Sequence, residues 1–175
     1  LRDVTPIGAG GFGIVYAATD SQLDRRVAVK ILRNLDQGDG LVAFDRERKA
    51  MGRLSGHLNI VTLYHTGHTA TGEPYLLMEL VDGGSLGDRL HASGPLPWAE
   101  AVATVIPVAR ALSHAHERGV LHRDIKPGNI LIHQGVPKLA DFGIARLSDQ
   151  ARTATVASAL SLAHTAPETF SNQRD

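Results

Sequence analysis

The stretch His122-Arg123-Asp124-Ile125-Lys126-Pro127-Gly128-Asn129 reads H-R-D-x-K-x-x-N. It places a carboxylate (Asp124), a cation (Lys126) and a side-chain amide (Asn129) within one short loop. These are the parts that phosphoryl transfer requires: a carboxylate beside a hydroxyl nucleophile, a cation beside the moving phosphate, and an amide oxygen for a metal. Working outward, Ile130-Leu131-Ile132 and Pro137-Lys138-Leu139 predict a short hairpin that delivers Asp141-Phe142-Gly143. An Asp at a strand end followed by Phe and Gly suits a metal ligand on a mobile joint. Asp141 and Asn129 then supply two oxygen ligands for Mg²⁺, with phosphates and water completing the shell.

The chain has 175 residues, 43% of them hydrophobic and 21% charged, which fits a soluble globular domain with a real core. Lys+Arg and Asp+Glu balance at 18 each, so overall charge gives no argument for nucleic acid or an anionic membrane as partner. There are no cysteines, which excludes disulfides and thiolate metal sites. No apolar run approaches the ~18–20 residues that span a bilayer, and no signal peptide opens the chain. Leu1 lies only a few residues before a glycine loop, and Asp175 closes a polar stretch. The chain is read as a fragment of a longer protein.

Residues 1–7 read as a strand that leads into Gly8-Ala9-Gly10-Gly11-Phe12-Gly13-Ile14-Val15, or G-x-G-x-x-G-x-V. Dinucleotide-binding folds share its first six positions but continue into a helix. Here Val15-Tyr16-Ala17-Ala18-Thr19 is strand-like, and after a turn a second strand runs Val27-Ala28-Val29-Lys30-Ile31-Leu32. The prediction is a hairpin whose backbone N–H groups approach phosphates, although a plain glycine-rich hairpin accounts for the same residues. Lys30 in an apolar strand needs a partner, or else snorkels to water. A helix over residues 41–54 presents Glu47 on the face that carries Phe44 and Met51, which makes Glu47 the candidate partner and Asp45 the alternative. Strands are expected at 60–64 and 75–80, with a turn over 66–74 between them. Val81-Asp82-Gly83-Gly84-Ser85 is the best linker in the chain, and it divides a strand-rich part (1–80) from a helical part (85–175) across a hinge (81–84). A Ser-capped helix over 85–92 comes next, then a long helix from Trp98 to about 118 that contains Pro107 and ends at Gly119. His57 reads as a local hydrogen-bonding residue, and His114 and His116, two apart, point to different faces and make no metal pair.

The glycine positions, Lys30, Glu47, H-R-D-x-K-x-x-N, Asp-Phe-Gly and finally Ala166-Pro167-Glu168 occur in the order that protein kinases use. Over all 175 residues the chain resembles the bacterial relatives of eukaryotic Ser/Thr protein kinases. The resemblance implies an α+β, bilobal fold: a five-stranded antiparallel N-lobe with one helix, and a mainly helical C-lobe that is incomplete here. It implies ATP and Mg²⁺ (or Mn²⁺) as cofactors and Ser/Thr-bearing proteins as substrates. The implied catalytic set is Asp124, which takes or orients the hydroxyl proton, with Lys126, Lys30 and Glu47; Asn129 and Asp141 hold the metal. Gly8, Gly10, Gly11 and Gly13 cover the phosphates. Val15, Ala28 and Leu131 sandwich the adenine, Glu79 and Val81 offer it backbone groups, and Met78 guards the pocket behind.

Arg123 beside the catalytic Asp invites a phosphate, and Thr153 and Thr155 sit about where the family's activation-loop phosphosites lie. They read equally as ordinary residues of a flexible loop. A homodimer for autophosphorylation is a further implied partner. The catalytic face is expected in the cytoplasm, where it meets ATP, whether or not the complete protein is membrane-anchored. His122 is expected to be buried near Phe142, with Met51 and Leu63 completing an apolar stack. Leu160 and His164 depart from the family's Gly and Tyr, which puts the substrate-docking surface in question but leaves the nucleotide chemistry intact. The second lobe is expected to continue for ~80–100 further residues. Two other readings share these residues: a nucleotide-binding pseudokinase or scaffold, and a small-molecule phosphotransferase of related fold.

Overall fold

Side chains alternate across a strand with a period of two, and this alternation decides which way Lys30 points. The computed structural model describes residues 1–10, 13–33, 45, 48–49, 51–142 and 164. Strands β1 (Arg2–Gly10), β2 (Gly13–Asp20), β3 (Arg25–Leu32), β4 (Leu63–His68) and β5 (Pro74–Glu79) form one antiparallel sheet in the order β1-β2-β3-β5-β4. In β3, Val27 and Val29 join an outer apolar cluster with Ala18 and the flanking Tyr16, Ile31, Tyr75 and Leu77. Ala28 and Leu32 belong to the inner cluster with Leu76 and Met78. Lys30 shares their phase, so its side chain enters the inner face.

Two helices and a second hairpin pack against that inner cluster. Helix α1 (Leu86–Ser93) starts at a capping box. Asp88 N–H donates to Ser85 Oγ at 3.0 Å, and Ser85 N–H donates to Asp88 Oδ2 at 2.9 Å. Helix α2 (Trp98–His116) runs through Pro107 and buries Val108, Ala111 and Ala115. Its other side exposes Trp98, Val102, Val105 and Ile106. Gly119 sits at φ +70°, with its N–H on the His116 carbonyl, and ends the helix as its residue type demands. A 3₁₀ turn (Pro127–Asn129) leads into the hairpin β6 (Ile130–His133) and β7 (Val136–Leu139). One cluster links the sheet (Leu76, Met78), α2 (Val108, Ala111) and the hairpin (Ile130, Leu139) with Phe142.

Three expectations shift. The apolar run expected as one strand at 60–64 is divided. Ile60 bridges Leu139 in parallel and Val61 N–H donates to the Leu139 carbonyl at 3.0 Å, so these two residues serve the β7 hairpin. Strand β4 starts at Leu63 and continues to His68. The expected turn over 66–74 shrinks accordingly, closed by Thr69 N–H on the Glu73 carbonyl at 2.8 Å. Gly67, read as a turn residue, is a strand glycine: a Cβ there would stand 2.8 Å from Tyr75 Oη, so it makes room for that ring. Half of the helix expected over 41–54 lies outside the described residues; 45, 48, 49, 51 and 52 within it are helical.

The linker is stitched to the hairpin. Ile132 N–H donates to the Gly84 carbonyl at 2.9 Å, and Ser85 bridges Leu131. A Cβ on Gly83 would collide with the Ile132 carbonyl oxygen, backbone that cannot swing away. Gly83→Ala is therefore expected to lower unfolding stability by about 1–3 kcal/mol, read by urea denaturation. Gly52→Ala, at a helical position where a Cβ meets open space, is expected to lose nothing and to gain up to about 1 kcal/mol in the same measurement.

Candidate active site

The loop over residues 122–129 is built around two side chains that face inward. His122 is 2% exposed, and its Nε2 lies 2.8 Å from the Ala140 carbonyl. Its Nδ1 accepts the Asp124 N–H at 3.3 Å. One ring nitrogen donates and the other accepts, which defines the neutral tautomer. Burial, the largest cause, holds the imidazole pKa below its ordinary value; the Ala140 hydrogen bond and the nearby Asp141 and Asp124 charges oppose it. The ring stacks on Phe142 at 4.6 Å between centroids. Met51 and Phe142 are buried in one apolar cluster, against which Leu63 packs.

Asn129 is the second inward residue. Its Nδ2 donates to the Asp124 carbonyl at 2.7 Å and to Asp124 Oδ2 at 2.9 Å. Lys126 Nζ lies 2.7 Å from the same Oδ2. The Asn129 carbonyl accepts the Ala140 N–H at 2.9 Å, which ties the loop to the end of β7. The three members named from the sequence thus form one clasp, with the Asp124 and Lys126 side chains only about one-quarter exposed or less.

On the sheet, Lys30 is 5% exposed and its Nζ lies 2.7 Å from Asp141 Oδ1. Glu47, the partner expected from the sequence, lies outside the described residues. Asp45, the alternative, pairs with Arg48 and Lys49 on the exposed face; both cations hold its carboxyl below the usual range, Lys49 most. Asp141 adopts φ +59°, left-handed backbone that Asp tolerates better than most residues.

The glycine loop is a β1–β2 hairpin, with Gly8 opposite Val15 and Gly10 opposite Gly13. Gly13 is at φ +139°, and a Cβ there would meet the Ile31 carbonyl. Gly11 and Phe12 lie outside the described residues, as do Gly143, Thr153, Thr155 and the Ala166-Pro167-Glu168 segment. Ala28 pairs Met78, and both belong to the apolar cluster against which Val15, Val81 and Leu131 pack. The apolar residues assigned to the base therefore all belong to that cluster or pack against it.

Two features escaped the sequence reading. Lys138 is buried, and its Nζ lies 2.9 Å from Glu79 Oε1 and 3.0 Å from Oε2. Asn59 is buried, and its Nδ2 donates to the Pro137 carbonyl at 2.9 Å. The available signal for the first was the one that revealed Lys30: a lysine inside an apolar strand. His57 accepts the Asn59 N–H at 3.1 Å, the local role expected of it, and its ring also lies 4.7 Å from that of His114.

A buried lysine held by the acid of an Asp-Phe pair thus stands one backbone tie, Ala140 to Asn129, from an Asp-Lys-Asn clasp. The sequence comparison supplies the family: the profile described as "Protein kinase domain" matches residues 1–175, and the chain belongs to that family. Among its relatives is serine/threonine-protein kinase PknK of Mycobacterium tuberculosis, 48% identical over 167 residues, 95% of this chain and 15% of the relative. A probable serine/threonine-protein kinase of Corynebacterium efficiens is 42% identical, covering 85% of this chain and 23% of its own length. PknB of Mycobacterium leprae is 41% identical, covering 80% and 23%. The chain thus spans about a quarter or less of these curated relatives.

The histidines give the fold a pH dependence. His122 and His57 both carry pKa values lowered from 6.5, burial being the largest cause in each. Above that value both are neutral in the folded and unfolded states, and full stability is present. Below it the unfolded chain takes up protons that the folded chain refuses, so stability falls as pH drops from 6.5 toward the depressed folded values. Unfolding titrations at about pH 7.5 and about pH 5.5 are expected to show this loss. His122→Gln is expected to flatten the slope by up to about 1.4 kcal/mol per pH unit.

Proposed function

We propose that the chain is the catalytic part of an ATP-dependent serine/threonine protein kinase. The observation that carries this reading is the Asp124–Lys126–Asn129 clasp set opposite the Lys30–Asp141 pair. The 1–80 part is the N-lobe, 81–84 the hinge and 85–175 part of the C-lobe. Glu79 and Val81 receive the base through backbone groups, with Met78 behind it.

The residues fit a hard divalent cation. Asn129 spends its amide nitrogen on Asp124, which turns its Oδ1 the other way, and Asp141 adds a carboxylate oxygen. Among the described residues no cluster of three or more His, Cys, Asp or Glu forms a metal cage. This suits Mg²⁺, which keeps phosphate and water in its shell. When bound, the metal neutralises charge on the transferring phosphate.

Asp124 orients the substrate hydroxyl and takes its proton as the oxygen attacks the γ-phosphorus and ADP leaves. Lys126, already on Asp124, reaches the transferring group and offsets its charge. Lys30 holds the α- and β-phosphates, with Glu47 as its second carboxylate. The site works by positioning and charge rather than by covalent chemistry. The phosphorylatable loop reading rests on Arg123, exposed at φ +68° beside Asp124. Phosphate on Thr153 or Thr155, placed there by a second copy, pairs with Arg123 and orders the loop. No helix among the described residues is long and apolar enough to cross a membrane. The catalytic face works where ATP is, in the cytoplasm.

Asp124→Asn and Lys30→Met are each expected to lower transfer of labelled phosphate from ATP to a generic basic protein by about 10³-fold or more. Full activity in either purified variant would refute the assignment. A panel of small metabolites run in parallel separates protein from small-molecule acceptors, and transfer to neither would favour a pseudokinase. Mass spectrometry of the active enzyme after incubation with ATP is expected to find phosphate on Thr153 or Thr155.

A further inference from the structure

Lys138 and Glu79 form an ion pair that no step of phosphate transfer uses. Lys138 is 7% exposed, and both Glu79 oxygens lie within 3.0 Å of its Nζ. Burying such a pair costs desolvation that its attraction barely returns, and apolar residues of the same volume often serve stability equally well. What an ion pair adds is direction and distance. The two residues belong to different sheets: Glu79 ends β5 in the five-stranded sheet, and Lys138 lies in the β6–β7 hairpin.

Residues 59–62 run between them and are hydrogen-bonded to both. On the hairpin side, Leu139 N–H donates to the Asn59 carbonyl at 2.9 Å and Asn59 Nδ2 donates to the Pro137 carbonyl at 2.9 Å. On the sheet side, Glu79 N–H donates to the Thr62 carbonyl at 2.9 Å and Thr62 N–H donates to Glu79 Oε2 at 3.2 Å. The carboxylate therefore receives the ammonium and the strap together.

The pair's place in the chain shows what it controls. Glu79 itself and Val81, two residues on, are the backbone groups assigned to the base. Asp141, three residues after Lys138, is assigned to the metal and holds Lys30. At about 3.3 Å per extended residue, each functional end lies within ~10 Å of the pair along the chain. We propose that Glu79 and Lys138, braced by Asn59, are positioning residues that fix the spacing between the base-receiving hinge and the metal-bearing strand. This rests on the kinase reading. A ligand that touches both ends needs that spacing; one that touches the hinge alone does not.

The test compares two ligands on the full-length protein by calorimetry. One is the Mg²⁺ complex of a non-hydrolysable ATP analogue, the other is adenosine. The variant Lys138→Gln removes the ammonium, leaves an amide donor for the Glu79 carboxylate and keeps Glu79 as acceptor for Thr62 N–H. It is expected to bind the Mg²⁺–nucleotide about tenfold more weakly or worse, and adenosine within about twofold of wild type. Lys138→Arg, which keeps the charge and changes the reach, is expected to shift the ratio in the same direction. Equal losses for both ligands, or no loss for either in folded variants, would overturn the positioning role. Wild-type protein that binds neither ligand would instead overturn the nucleotide reading on which it rests.

Discussion

A lysine ammonium inside a protein must meet an anion, because leaving it unpaired in low dielectric costs on the order of several kcal/mol. Lys30 imposes that condition on the whole structure. The phase of β3 sends its side chain to the inner face with Ala28 and Leu32, and the acid it meets, Asp141, lies 111 residues later. To bring the two within 2.7 Å, the chain must leave the sheet through Gly83 and Gly84, run two helices and return as a hairpin beneath it. The apolar cluster supplies the driving force for that return, and the ion pair supplies its end point.

Much of this was legible in the residues themselves. The apolar run Val27-Ala28-Val29 and Ile31-Leu32 marked both the strand and the odd lysine within it. Ser85, Trp98 onward and Gly119 marked the helices through their caps and period. The clasp of Asp124, Lys126 and Asn129 was visible because its members are close in sequence, so local spacing decides their geometry. What escaped was non-local. Ile60 and Val61 look like sheet residues because they are apolar and β-branched, and nothing local says that Leu139 will claim them. Gly67 looks like a turn because a strand glycine is explained only by the ring of Tyr75 across the ladder. Lys138 and Asn59 acquire partners that sit 59 and 78 residues away, and no periodicity carries that information.

The site's rigidity comes from hydrogen bonds that join backbone to inward side chains. His122 holds the Ala140 carbonyl while Asn129 takes the Ala140 N–H, so both polar groups of one residue are fixed by the loop. Asp141 is the next residue in the chain. Its carboxylate is therefore positioned by the residue that both sides of the loop hold, and the proposed phosphate-handling groups need no ligand to set their positions.

The left-handed backbone at Asp141 also constrains how this protein can change over generations. At φ +59° most side chains are strained, while Asp, Asn and Gly are tolerated. Asparagine there would satisfy the backbone and keep the shape, yet it carries no charge for a metal or for Lys30. The fold thus resists most replacements at this position and admits two, Asn and Gly, that remove the charge Lys30 meets. A folded descendant that has lost the Lys30–Asp141 ion pair lies a single substitution away.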